Sequence, residues 1–480
     1  MSKKKKTIGE LLEEALVPED EQPFQVPENW VWVRTETANG IVTGSTPAKK
    51  QSEYYGGGFP FVKPADLEQG SEVIHASEYL TEKGKAVSRI IPKESTMVCC
   101  IGSIGKAGFS TVECTTNQQI NSLVPNKKMI NPKFNYYQVL NGTYQNELWN
   151  RSSATTVSII NKGKMSLIPY VLPPFNEQKR IAEKVERLLS KIEEAKQLIE
   201  EAKDTFELRR AAILDKAFRG ELTRKWREEN SLEKKEVELI NGNQSIESNS
   251  PYSIPTTWKW RKLKDVASFK NGFAFKSKDF VEQGIQLVRM GNLYKNDLAL
   301  DRNPVYMPLD FDEKIIEKYS VKNGDILLSL TGTKYKRDYG YAVRVEGVEK
   351  PLLLNQRILS LNPNFMDEYI FYYLQSSVFR DVFFSFETGG VNQGNVGSKA
   401  VESILIPIPP LEEAKEIEKM LNNLLKNEKE TLKILNVEDK LETLKQATLS
   451  KAFRGELGTN DPREENAIEL LKEVLQEQVK

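Results

Sequence analysis

The chain has 480 residues, room for two to four domains at about 100–200 residues each. Hydrophobic residues make up 39% and charged residues 28%, with 68 Lys+Arg against 68 Asp+Glu, which fits a folded chain and excludes a domain-wide basic field, so nucleic-acid binding must come from local patches. No apolar run approaches the roughly 18–20 residues of a membrane helix, and Met1-Ser2-Lys3-Lys4-Lys5-Lys6 leads into no apolar signal core, so a cytoplasmic protein is expected.

Thr7 to Leu16 opens the chain as an amphipathic helix candidate. Short β-rich runs follow at Val31 to Val33, Met97 to Ile101 and Asn121 to Val124, between Gly and Pro turns. His75 lies among them and is the one histidine, which excludes a two-histidine metal site and an HExxH zinc protease. No GxSxG elbow or reactive-cysteine signature accompanies it, so it reads as a surface or structural residue. Cys99, Cys100 and Cys114 match neither a disulfide framework nor a zinc spacing and read as buried small apolar residues.

Pro173-Pro174 stops the strand region. Beyond it, apolar residues fall at Ile181, Val185, Leu188, Ile192, Ala195, Ile199, Ala202 and Phe206, a 4-3-4-3 spacing that predicts a long helix with a coiled-coil seam. Asn176 is a candidate N-cap and Gly220 a candidate stop. Thr223 to Ile254 is charged, then Asn- and Ser-rich, and reads as a linker with room for a short helix near Leu232 to Ile240. Strand-like runs return at Ile326 to Leu330 and Ile358 to Leu361. A second long helix is predicted from about Leu411 to about Phe453. Its seam starts at Ile417, Leu421 and Leu424, falters at Glu428 and Thr431, and recovers around Leu435, Leu441 and Leu444, which predicts a kink or stutter near Asn436 to Asp439. Plain intradomain packing is the alternative for both helices; one narrow apolar seam with charged faces favours a paired coiled coil. Ala467 to Val479 ends the chain as another amphipathic candidate.

The second half repeats the first. Lys216-Ala217-Phe218-Arg219-Gly220-Glu221-Leu222 recurs unchanged at Lys451 to Leu457, 235 positions later. Asn117 to Asn126 matches Asn355 to Asn364 at seven of ten positions, offset by 238. Pro27, Trp30 and Trp32 match Pro255, Trp258 and Trp260, and Pro173-Pro174 meets Pro409-Pro410. Four landmarks in one order at nearly constant offset make this a tandem duplication of a strand-rich globule followed by a long helix. If the repeats close on themselves, the two terminal helix candidates meet.

A two-fold object suits a duplex, because pseudo-palindromic sites mirror protein symmetry. A helix of ~40 residues spans ~60 Å at ~1.5 Å per residue, more than the ~34 Å between half-sites one turn apart, so the helices are long enough to act as a ruler. Loop chemistry agrees. Thr43 to Lys50 with Tyr54 to Gly58, Lys270 to Lys278, and Thr331 to Arg337 mix cations, hydroxyls and aromatics suited to phosphates and base edges. Each by itself is equally well a solvated loop; their recurrence in corresponding places favours binding.

These residues resemble the specificity subunit of type I restriction-modification systems, over nearly the whole chain. The first copy resembles a target recognition domain through Gly44-Ser45-Thr46-Pro47, Tyr54-Tyr55-Gly56-Gly57, Phe59 to Val62 with Ala65-Asp66-Leu67, and Gly102 to Lys106. The second does so through Gly272 to Ser277, Val288 to Leu293 and Gly324 to Leu327. Each ends in the proline-proline step, with Glu177-Gln178 after it in the first copy, and each long helix closes in Ala-Phe-Arg-Gly-Glu-Leu. The second copy departs with Leu411-Glu412-Glu413-Ala414, lacking the glutamine, and is one residue shorter between Ile417 and Phe453, which leaves the helix register open.

The resemblance implies an α+β fold: two mixed α/β target recognition domains joined by two long antiparallel coiled-coil helices in a pseudo-two-fold tandem repeat. Its segments are an N-terminal helical extension (1–26), recognition domain one (27–175), spacer helix one (176–222), a linker (223–254), recognition domain two (255–410), spacer helix two (411–457) and a helical tail (458–480). It further implies that each domain reads half of a bipartite site in double-stranded DNA. Two modification subunits dock around the helices and methylate adenine using S-adenosylmethionine, and restriction subunits add ATP- and Mg2+-dependent translocation and cleavage. No cofactor and no catalytic residue belong to this chain.

Residues expected at DNA in the first domain are Thr46, Lys49, Lys50 and Tyr54, then Lys63 and Lys106, then Asn117 and Gln118, then Arg151 and Ser152. In the second they are Lys276, Lys278 and Arg289, then Lys334, Lys336 and Arg337, then Gln356, Asn392 and Gln393. The Asn-Gln pairs recur in both copies, which suits fold maintenance or a backbone contact better than reading two different sequences.

Two enzyme-like motifs fail on inspection. Leu172-Pro173-Pro174-Phe175 has leucine where the Asn-Pro-Pro-Phe tetrad of adenine methyltransferases has its base-binding asparagine. Gly102 to Gly108 lacks the first glycine of a phosphate loop, since Cys100 stands there, and Ala107 follows Lys106. It reads as a tight turn with Lys106 free to reach a phosphate. An enzyme with its own active site and a coiled-coil adaptor with no DNA role are the alternatives: S-adenosylmethionine binding by the purified chain marks the first, dispensable loop cations the second.

Overall fold

The computed structural model describes residues 7–153, 157–230, 250–435 and 437–479. The chain forms two compact units, one built from the chain up to Ile199 and again from Val437, the other from Glu200–Asn436. The boundary therefore falls within the spacer helices rather than at their ends. The segment expected to be a short helix near Leu232 to Ile240 lies outside the described residues.

Unit one contains two four-stranded sheets. In the first, Asn39–Thr43 pairs antiparallel with Ile120–Pro125, which pairs with Thr96–Cys99, which pairs with Ala107–Phe109. In the second, Tyr55–Val62 lies between Glu78–Leu80 and a parallel Cys114–Thr116, with Ile90–Ile91 beyond. Strand Thr96–Cys99 is buried at every position, as a central strand covered on both faces must be. All three cysteines are buried. Burial pushes the Cys100 thiol up to about 11 and the Cys114 thiol up to about 12.

Unit two repeats this order. Ala267–Asn271, Ile358–Pro363, Ile326–Ser329 and Ala342–Arg344 make one sheet. Tyr306–Met307, Ile285–Val288, Leu352–Leu354 and Ser320–Val321 make the other, with its parallel pair in the same place. In each unit a short antiparallel ladder ties the strand bearing the second tryptophan, Trp32 or Trp260, to the strand before the proline-proline step: Val31–Arg34 with Pro169–Leu172, and Lys259–Lys262 with Leu405–Ile408. The duplication read from sequence is thus a duplication of topology.

The first spacer helix runs Phe175–Phe218, 44 residues. It starts immediately after Pro173-Pro174, one residue before the expected cap, so Asn176 lies in its first turn. It stops before Gly220, whose φ of +72° suits glycine. The second forms two helices, Leu411–Leu435 and Glu438–Phe453, so it runs on through Glu428 and Thr431, where the seam falters, and parts at the expected kink near Asn436 to Asp439.

The seam is not uniformly buried. Ile181 and Val185 belong to the core of unit one with Leu449, Ala452 and Phe453. Leu188, Ile192, Ile199, Phe206, Leu435 and Leu441 are half-buried. Ile417 and Leu421 belong to the core of unit two with Leu214, Ala217 and Phe218. Two register expectations are corrected. Leu425, not Leu424, is the buried neighbour of Leu421, because the stripe continues at a four-residue step along the face packed on the domain. Leu444 is 52% exposed, and Leu449 takes the core position instead.

The terminal helices meet within unit one. Ile8–Ala15 begins with a capping box in which Thr7 Oγ1 accepts from the Glu10 amide and the Thr7 amide donates to Glu10 Oε2 at 2.7 Å. It packs against Ala467–Val479, with Leu11 and Leu12 joining the core that holds Leu471 and Leu475.

Candidate nucleic-acid interface

Each recognition domain is held to its helices by one repeated joint. In unit one, Glu177 on the first turn of the long helix accepts from Trp30 Nε1 at 2.7 Å and from Thr459 Oγ1 at 3.4 Å. In unit two, Glu413 accepts from Trp258 Nε1 at 2.9 Å, from Thr223 Oγ1 at 2.7 Å and from the Arg227 guanidinium. The glycines of the repeated Lys-to-Leu heptapeptides finish the joint. Gly455 lies so close to Pro27 that a Cβ would sit 2.3 Å from its ring; Gly220 and Pro255 repeat this at 2.4 Å. So the heptapeptide ending the second repeat seats the start of the first, and that ending the first seats the start of the second. Sequence reasoning used these residues as landmarks and missed their task. The signal was present, since Glu177 and Glu413, like Thr223 and Thr459, stand 236 positions apart.

In the first domain the loop after Asn39–Thr43 is sewn to the turn at Asn117. Ser45 N donates to Thr116 O at 2.8 Å, Thr46 Oγ1 to Gln118 Oε1 at 2.5 Å, and Tyr55 Oη to Pro47 O at 2.6 Å. Asn117 braces its own turn, accepting from the Gln119 amide and donating to Gln119 Oε1. Thr46, Gln118, Lys49 and Lys50 are thereby brought to one exposed edge with half-buried Tyr54 beside them. Neither Lys49 nor Lys50 has an ion pair among the described residues. The other cations are engaged: Lys63 with Glu78 at 2.8 Å, Lys106 with Glu68 at 2.8 Å, Arg151 with Glu147 at 2.8 Å. Lys106, expected to be free for a phosphate, is a strut between its turn and the Glu68 turn. Ser152 Oγ donates to Trp149 O at 2.7 Å. His75 is exposed.

The second domain repeats the asparagine turn. Asn355 Oδ1 accepts from the Arg357 amide, and a Cβ on Gly272 would meet Asn355 O at 2.0 Å, as one on Gly44 would meet Asn117 O at 2.2 Å. The Asn positions hold the turn, and the exposed Gln356 sits beside it. Lys276 and Lys278 are exposed around the turn Ser277–Asp279, and Arg289 is exposed at the end of Ile285–Val288. A separate pair of loops carries the rest. The two-residue ladder Thr331–Gly332 with Gly394–Asn395 joins them. Lys334 Nζ donates to Gly389 O at 3.0 Å, Arg337 pairs with Asp381 at 2.6 Å, and Lys336, Asn392 and Gln393 are exposed.

The model for the type I restriction modification DNA specificity domain matches twice, over residues 27–204 and 255–438. The chain belongs to that family. The chain is similar to the Escherichia coli K12 type I restriction enzyme EcoKI specificity subunit, 25% identical over 90% of each chain, and to the Methanocaldococcus jannaschii type I restriction enzyme MjaVIII specificity subunit, 23% identical over 84% of this chain and 87% of that one. A chain solved for the assembly and conformational transition of the type I restriction-modification system shares the fold, with a TM-score of 0.64 and 19% identity over 91% of this chain and all of the other.

DNA sequence recognition, the role of a specificity subunit, therefore lies with the two repeated domains. The two matches each span a recognition domain and the first part of the spacer that follows it. Among the described residues no helix is long and apolar enough to cross a membrane.

Proposed function

We propose that the chain reads a gapped, two-part site in double-stranded DNA, one half through each recognition domain, and that it scaffolds the modification and restriction subunits of a type I complex in the cytoplasm. The observation that carries this is one sheet order built twice with different loops on it: Thr46 to Lys50 in one copy, Thr331 to Arg337 with Gly389 to Asn395 in the other. Identical frames with unlike edges suit two different half-sites. A 44-residue spacer helix, about 66 Å at ~1.5 Å per residue, suits a fixed gap between them. Phosphates supply affinity through cations such as Lys49, Lys50, Lys276 and Lys278, and base edges supply specificity. Catalysis is assigned to the partners. S-adenosylmethionine, ATP and Mg2+ would be held by the modification and restriction subunits, since the chain's nearest likeness to an adenine-binding tetrad begins with Leu172, which offers no amide to a base.

The test is co-expression with the neighbouring methyltransferase gene, followed by single-molecule sequencing for N6-methyladenine. A methylated two-part motif that vanishes when this chain is omitted is the expected result. Methylation that persists without it, or a motif with no gap, overturns the proposal.

A further inference from the structure

The two most exposed large apolar side chains among the described residues are Val391, 92% exposed, and Tyr335, 80% exposed. They are 56 positions apart in sequence yet sit on the two loops joined by the Thr331–Gly332 and Gly394–Asn395 ladder. The loops are built, not slack. Lys334 crosses from one to the other at Gly389 and lies over the Tyr335 ring at 5.0 Å. Thr333 N donates to Asp338 Oδ1 at 2.8 Å. Arg380 beneath donates to the carbonyls of Arg337, Tyr339 and Gly340, and Tyr339 packs edge-on against Phe384. Tyr335 and Arg337 both hold left-handed backbone, φ +65° and +53°, a conformation non-glycine residues keep only when the surroundings impose it. The corresponding connection in the first domain is shorter: Cys99 and Ala107 are joined by residues 100–106, whereas Ser329 and Ala342 are joined by 330–341.

An aliphatic group on a rigid tip offers nothing to a phosphate and cannot pair with a hydrogen-bonding edge. Lys336, Asn392 and Gln393, all exposed around it, suit a polyanion with hydrogen-bonding edges. In the major groove the one apolar group that such a tip can meet is the thymine C5-methyl.

Resting on the two-part reading above, we infer that these paired loops are the base-reading element of the second recognition domain, with Val391 set against a thymine methyl, Tyr335 packing beside it, and Lys336 on a phosphate.

The test uses the complex assembled on the full chain. Methylation motifs are mapped for the unaltered chain and for Val391→Ala, Tyr335→Ala and Lys336→Ala. Duplexes of the mapped site are then made with each thymine of the second half replaced by uracil, which deletes only the methyl. The expected result is a second half relaxed about tenfold at one position by Val391→Ala. One uracil duplex should weaken binding to the unaltered chain by a similar factor and not weaken binding to Val391→Ala further. Lys336→Ala should lower affinity for every sequence alike. The first half-site is the internal control, since a misfolded variant would lose both halves. An unchanged second half in Val391→Ala and Tyr335→Ala, or no response to any uracil, overturns the assignment and leaves the two-part reading standing. An unaltered chain that directs no two-part motif overturns both.

Discussion

Glu177 and Glu413 occupy the same place and are served differently. Glu413 has an arginine in its joint, whereas the guanidinium of Arg180 near Glu177 is bound bidentately by Glu464 at 2.8 and 2.9 Å. Burial therefore pushes the Glu177 carboxyl above the ordinary carboxylate range, with the Trp30 hydrogen bond and Arg180 pulling it back only in part. A carboxyl raised by folding binds its proton more tightly in the native state, so its contribution to stability is full below the unfolded value of about 4.5 and is lost as pH rises through the folded value. Glu177→Gln keeps an acceptor for Trp30 and removes the titration. Stability of the parent is expected to fall as pH rises just above ~4.5, and melting curves of Glu177→Gln should show a smaller fall there. Glu413→Ala leaves the Arg227 charge without its carboxylate and Trp258 Nε1 without its acceptor, and should cost about 3–5 kcal/mol of unit two's stability by denaturant titration. Lys49→Ala with Lys50→Ala should leave melting unchanged and reduce the salt slope of DNA binding by about 0.9 for each phosphate that is no longer neutralised.

The joints depend on backbone as much as on side chains. Gly455 combines a φ of +76° with a proline ring where a Cβ would go. Gly455→Ala should destabilise unit one by about 1–3 kcal/mol, and its thermal transition should move while a local probe in unit two stays put. The spacer helices make a sharper contrast. Leu421 is buried in a domain core, so Leu421→Ala should cost about 2–5 kcal/mol. Leu444→Ala should stay within about 0.5 kcal/mol, although the two leucines are alike in the heptad pattern. A seam read from spacing alone treats every apolar position as equivalent. The domains decide which are core: of the seam positions read from spacing, Ile181, Val185, Ile417 and Leu421 lie in a domain core, whereas Leu188, Ile192 and Leu444 do not.

For the whole chain the repeat predicts separable specificity. Exchanging residues 27–175 for those of a relative should change one half of the methylated motif and keep both the other half and the gap. A change of gap after that exchange would contradict the assignment of spacing to the helices. The same division explains how the ends of the chain are used. The helices Ile8–Ala15 and Ala467–Val479 share a core, and both flank the joint made by Gly455 and Pro27. Shortening either end should therefore weaken unit one rather than act as removal of a tail.

The duplication, the two helices, their break near Asn436 to Asp439 and the family were legible from residues alone. Repeats, heptads and proline stops are local or self-referential patterns, and a chain displays those without folding. The strand runs were legible for the same reason, since a central strand such as Thr96–Cys99 must be apolar wherever it packs. The fate of each polar side chain was not. Lys106 and Lys49 look alike in a loop sequence, yet Lys106 is paired with Glu68, 38 positions away, and Lys49 is exposed. Val391 gave no signal at all, because one exposed valine in a Gly- and Asn-rich stretch reads as loop, whereas Tyr335 falls inside the Thr331 to Arg337 loop that the sequence already marked for binding. Pairing and exposure are set by which distant segments arrive beside a residue. Long-range sheet register and the joints at Glu177 and Glu413 decide that, and only the folded chain possesses them.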